Sequence, residues 1–164
     1  MTVEVERDST VAVPDHASWA WRSRPWEPLG GSELHPRVDN TKARERVEHA
    51  IEVVLQAKRL QRVEPDVADF LVDYRMGVWE EQVRIEPPPE APPSPRSAEI
   101  PPPEALTRAP VRVRYEEGAL LINIAERTTG KLAFRVTAKR VLSDRPMSDE
   151  ARQQAMAELL ERFP

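Results

Sequence analysis

The chain has 164 residues, no cysteine and a formal net charge of -4. A chain of that length makes one domain, or one domain with an appendage, and can bury roughly 70% of its unfolded surface, so it needs no covalent staple. The missing cysteine excludes disulfides, thiolate metal sites, a cysteine nucleophile and a lipid-bearing cysteine within the chain, and mixed charge with a mildly acidic total argues against a dedicated nucleic-acid binder.

The opening MTVEVERDST is charged and holds no apolar signal core. The expectation is a cytoplasmic start or a trimmed mature segment. Val3, Val5 and Arg7 alternate with Glu4 and Glu6, which reads as an edge strand. Val11, Val13 and Pro14 continue it after Asp8-Ser9. In Ser18-Trp19-Ala20-Trp21 the two tryptophans share one strand face and are expected beneath the helices. Arg22 to Asn40 carries Pro25, Pro28, Gly30, Gly31 and Pro36 and reads as irregular, with Trp26 in that loop.

From Thr41 to about Lys58 the period becomes helical: Ala43, Val47, Ala50, Ile51, Val54 and Leu55 form one stripe. Asn40 or Thr41 can cap it, since their side-chain oxygens accept from unpaired N–H groups. Arg44, Glu45, Glu48 and Glu52 are expected to face water. Ala68 to Ile85 reads as a long strand, or two, with a bulge near Gly77. Phe70, Val72, Tyr74, Met76 and Val78 share one parity there.

Residues 87–110 hold ten prolines in twenty-four positions. Proline lacks the N–H a sheet needs and fixes its own φ, so the segment is expected as a polyproline or disordered loop. Its Pro89 to Pro92 spacing is that of a proline-reading ligand. Alternation resumes at Val111 to Tyr115, and Leu120, Ile122 and Ile124 share a face. Thr128-Thr129-Gly130 turns the chain into a strand with Leu132, Phe134, Val136 and Ala138 on one side. Ser148 caps a last helix, whose expected buried stripe is Ala151, Ala155, Leu159 and Phe163, helped by Met156 and Leu160. The order of elements predicts one α+β domain over 1–164: an antiparallel sheet with two amphipathic helices packed on one face, and a Pro-rich insertion at about 87–110.

Tyr115, Gly118, Leu120, Ile122, Asn123 and Ile124, followed by Thr129-Gly130-Lys131-Leu132-Ala133-Phe134-Arg135, resemble the signature of the "domain of unknown function 4136" family. Ser18-Trp19-Ala20-Trp21, Asp39-Asn40, Ala68-Asp69-Phe70-Leu71-Val72 with Tyr74, and the closing Phe163-Pro164 are similar to other stretches of that family. Members are bacterial envelope proteins, mostly lipoproteins with a signal peptide and a lipid-bearing cysteine. This chain departs from the pattern at Asn123, Phe134 and Val136, and at Arg59, where a helix-ending glycine is usual.

The resemblance implies a non-catalytic domain of the periplasm or cell envelope, structural or protein-binding, without a cofactor. The alternative is a cytoplasmic adaptor whose Pro-rich segment recruits a partner. His16, His35 and His49 lack metal-ligand spacing. Asp69 and Asp73 share a parity, but glycine-rich phosphate loops and a Gly-x-Ser-x-Gly nucleophile signature are missing. Catalytic, cofactor-binding and metal-binding residues are therefore not expected. The candidate interaction surface is Trp26, Trp79, Pro89 and Pro92, for a protein partner. Contact with a membrane would come only through a lipid anchor that this chain does not carry. The oligomeric state is open, with Val3 to Arg7 as an edge on which two copies could pair.

Overall fold

The computed structural model describes residues 1–30, 35–85, 111–143, 145 and 147–164. The Pro-rich stretch 87–110, with Pro89 and Pro92, lies outside the described residues. Two compact units are distinguished, Met1–Trp79 with Glu116–Pro164, and Glu80–Tyr115.

The elements run β1 (Thr2–Arg7), β2 (Ser18–Pro28), α1 (Thr41–Ala57), β3 (Gln61–Arg62), β4 (Phe70–Ile85), β5 (Val111–Glu126), β6 (Leu132–Val141) and α2 (Asp149–Leu159). One six-stranded sheet has the order β1-β6-β5-β4-β2-β3. In the smaller unit the described residues are strand residues of β4 and β5, with Val83, Ile85 and Val113 exposed.

The class is α+β, but the sheet is mixed and not purely antiparallel. β1 and β5 each pair antiparallel with β6, whereas β2 runs parallel to both β3 and β4. A parallel pair needs a crossover of a dozen or more residues, and α1 supplies it between β2 and β4. The expected irregular loop is also shorter, because β2 continues to Pro28. Proline can sit there because the pairing with β4 shifts register between Trp21 and Trp26, so Pro25 interrupts no ladder.

β4 runs unbroken through Gly77. A Cβ at that position would lie 2.7 Å from the Leu29 carbonyl oxygen, so close backbone approach explains the glycine. The β5–β6 hairpin turns as read: Gly130 takes φ 71° and its N–H donates to the Glu126 carbonyl at 2.9 Å.

One apolar cluster joins Ile51 and Leu55 of α1, Met156 and Leu159 of α2, and Phe70, Ile122 and Val136 of the sheet. Both helices thus cover the same face, and they contact each other. Asn40 caps α1 by accepting from the Lys42 and Ala43 N–H groups at 3.0 and 3.4 Å. Ser148 caps α2 through the Ala151 N–H at 3.2 Å.

The buried stripe of α2 departs from the expected one at its two alanines. Ala151 is exposed and Ala155 half-buried, while Met156, Leu159, Leu160 and Phe163 are buried. The helix ends at Leu159, and the following turn swings Phe163 between the rings of Phe134 and Phe70, at 5.5 and 6.4 Å. Lys58 then donates to the Phe163 carbonyl at 2.5 Å, joining the end of α1 to the chain beyond α2.

Candidate functional site

Alternation places side chains of opposite parity on opposite sheet faces. Phe70, Val72, Ile122 and Val136 face the helices, so Asp73, Asn123 and Arg135 project from the other face. Register aligns them: Asn123 opposes Arg135, which opposes Glu6. β4 joins this row antiparallel to β5, because contacts step in opposite directions from Asp69–Arg127 to Asp73–Asn123.

The row is continuously bonded across five strands. Arg22 lies 3.0 Å from Oδ2 of Asp73. Asn123 donates to Oδ1 of Asp73 at 2.8 Å and accepts from Nε of Arg135 at 2.8 Å. Arg135 reaches Glu6 at 3.6 Å. Around the row lies a shallow polar cleft of about 290 Å3, with Arg24, Glu27 and Arg75 also on its walls. Arg75 is held by Glu27 at 2.9 Å.

Chemically, the row is a set of mutually satisfied charges, while Arg24 on the cleft wall has no carboxylate partner among the described residues. Both Asp73 oxygens are occupied, and Asn123 uses its acceptor and a donor within the row. Among the described residues lining the cleft there is no Ser, Thr, His or Lys. Asp69 does not join Asp73. Its carboxylate accepts from the Ser18 N–H and hydroxyl at 2.7 and 2.8 Å, which holds its pKa below the ordinary value. It fastens the start of β4 to the start of β2.

A second cluster joins α1 to the sheet. Tyr74 is buried and donates to Glu48 at 2.7 Å. Burial, then the bond to Glu48, pushes its hydroxyl pKa far above the usual value. Trp21 donates to Glu52 at 3.0 Å, and Arg62 pairs with the same carboxylate at 2.6 Å. Trp19 and Trp21 meet edge to face at 5.3 Å, beneath the helix as expected. The expectation that Arg44, Glu48 and Glu52 face water is overturned; Glu48 and Glu52 anchor α1, and Arg44 covers a tryptophan.

That tryptophan is Trp26. The structure puts it in β2, half-buried against the core, with the Arg44 guanidinium 4.5 Å above its ring. Trp79 is half-buried on β4, beside Gly77. Among the described residues, the structure gathers Trp26 with Arg44, and Trp79 with Gly77, into separate contacts.

The ladder was partly visible in sequence. Asp73, Asn123 and Arg135 each sit one position off the apolar parity of their strands. Arg22 was not visible, because its place depends on β2 running parallel to β4.

The family model described as "Domain of unknown function (DUF4136)" matches residues 3–164. No curated protein matches. Among solved structures, the PelC dodecamer from Paraburkholderia phytofirmans is similar at 11% identity and a TM-score of 0.53, covering 98% of this chain and 96% of that one. A PDZ domain protein from Parabacteroides distasonis is similar at 12% identity and a TM-score of 0.53, covering 99% of this chain and 35% of that one. At such identities the likeness concerns the fold.

Proposed function

The chain belongs to the DUF4136 family, and from that premise we propose that it is a non-catalytic module of the bacterial cell envelope that works by holding other proteins, copies of itself included. The observation that carries this reading is the bonded row Arg22–Asp73–Asn123–Arg135–Glu6. Polar groups that brace one another across a sheet stiffen a scaffold and leave no free base beside a nucleophile.

Assembly has its own support. β1 lies at one end of the sheet, and its outer backbone groups face away from β6. Such an edge is a template for another strand. PelC, whose fold is similar, is a dodecamer.

The test is crosslinking in the native host, followed by sedimentation of the purified chain. The expected result is crosslinked protein adducts and a species larger than one chain. A chain that sediments as a monomer and crosslinks to nothing contradicts the proposal. Adducts that disappear on deletion of residues 87–103 support the adaptor reading instead.

A further inference from the structure

The helices do not fully cover the inner face of the sheet. Between α1, α2 and β4, β5 and β6 lies a groove of about 480 Å3. Met76, Leu120, Ala138 and Met156 line it, with Val47 and Leu142 beside them. Val47, Met76 and Leu120 pack on the core yet stay partly exposed. Gly118 belongs to the same surface; a Cβ there would meet the Leu142 side chain at 2.8 Å, so the glycine lets that leucine lie against the strand.

The groove carries charge of one sign. Arg37, Arg46, Arg140, Arg145 and Arg152 line it, and among the described residues no Asp or Glu does. Arg37 pairs with Glu116 at 3.2 Å, and Arg152 with Asp149. Arg46, Arg140 and Arg145 have no carboxylate partner among the described residues; Arg140 reaches only the Met147 sulfur, at 3.7 Å.

We propose that this groove binds a single-chain anionic amphiphile of the fatty-acid class, its alkyl chain on the apolar surface and its headgroup among the unpaired arginines. An apolar surface bordered by cations complements that chemistry on both counts. Guanidinium is weakly hydrated and matches a carboxylate fork. Size selects a slender ligand over a peptide helix: one helical turn, about 10 Å across and 5.4 Å long, displaces ~420 Å3. The groove would hold barely one turn, yet its volume falls in the range of roughly 300–1,000 Å3 common to small-ligand sites. The inference does not depend on the cellular address or partners proposed above.

Calorimetric titration of the full chain tests it with decanoate below its micelle concentration, decanol as the uncharged match, acetate and inorganic phosphate as headgroups alone, and an acidic amphipathic peptide. Decanoate is expected to bind saturably, one per chain, and at least tenfold more tightly than decanol. Acetate and phosphate are expected neither to bind nor to compete. The double variant Arg46→Gln/Arg140→Gln should weaken decanoate at least tenfold and leave decanol unchanged. Ala155→Trp, on the partly exposed flank of α2, should block both ligands while the unfolding temperature shows the fold intact. Equal affinity for decanoate and decanol, competition by phosphate alone, tighter binding of the peptide, or no saturable uptake would overturn the proposal.

Discussion

Replacing Arg59 with glycine should stabilise this chain. After α1 ends at Ala57, the Arg59 N–H donates to the Gln56 carbonyl at 2.9 Å and the Leu60 N–H to the Leu55 carbonyl at 3.1 Å. This paired pattern closes a helix with a left-handed residue, usually glycine. Arg59 takes that conformation, at φ 67°. A residue with a Cβ is strained there by about 1–2 kcal/mol. Glycine removes the strain but loosens the unfolded chain, which returns about 0.4–1 kcal/mol. The Arg59 side chain is exposed and has no bonded partner among the described residues, so its loss adds nothing. The net gain is ~0.5–1 kcal/mol, or ~1–4 °C in the unfolding midpoint at this chain length. Calorimetry, with urea unfolding to check an unchanged m-value, measures it. Arg59→Ala keeps the Cβ and should gain nothing. A glycine variant no more stable than the alanine variant would mean that Arg59 stores no strain at this helix end.

Phe163→Ala should cost about 3–5 kcal/mol in urea unfolding, because it empties a fully buried site between Phe70 and Phe134; Val67→Ala, 66% exposed, should change stability by less than about 0.5 kcal/mol. Asp73→Ala should cost about 1–3 kcal/mol, since Asn123 loses its acceptor and Arg22 its counter-ion; a silent mutation would mean the row braces nothing. Tyr74 has a raised folded pKa, so its contribution is complete below the unfolded value of about 10 and is lost as pH rises above it, because only the unfolded chain then ionises. Tyr74→Phe should flatten the decline in unfolding midpoint between about pH 9.5 and 11. Asp69 has the opposite sign: its folded pKa is lowered, so its contribution holds above the unfolded value of about 3.9 and fades as pH falls through the folded one. Ser18→Ala should reduce that acid sensitivity in the same unfolding assay.

Much of what local periodicity and turn chemistry decide was legible in the sequence. The parity of Phe70, Val72 and Tyr74, the Gly130 turn and both helix caps are features of neighbouring residues, and the structure contains them all. Long-range register was not legible. Whether β2 returns parallel or antiparallel to β4 depends on a crossover about forty residues long, and nothing within Ser18–Trp21 encodes it. Pro25 reads as a breaker because its sequence does not reveal a register shift. Glu48 and Glu52 read as solvent-facing because a carboxylate on a helix has no sequence mark for a buried tyrosine or tryptophan opposite. The groove was hidden for a related reason: Ala155 belongs to a regular apolar spacing, but the turn after Leu159 lets Phe163 and Leu160 fill the core and leaves Ala155 at a margin.

Fractionation of the native host, with detection of this chain in each compartment, tests most directly the claim that it is an envelope module that binds proteins. The prediction is recovery with the periplasmic or membrane fraction, protected from external protease in intact cells and digested once the outer envelope is opened. Recovery in the cytosol, protected until the inner membrane is broken, would contradict the claim.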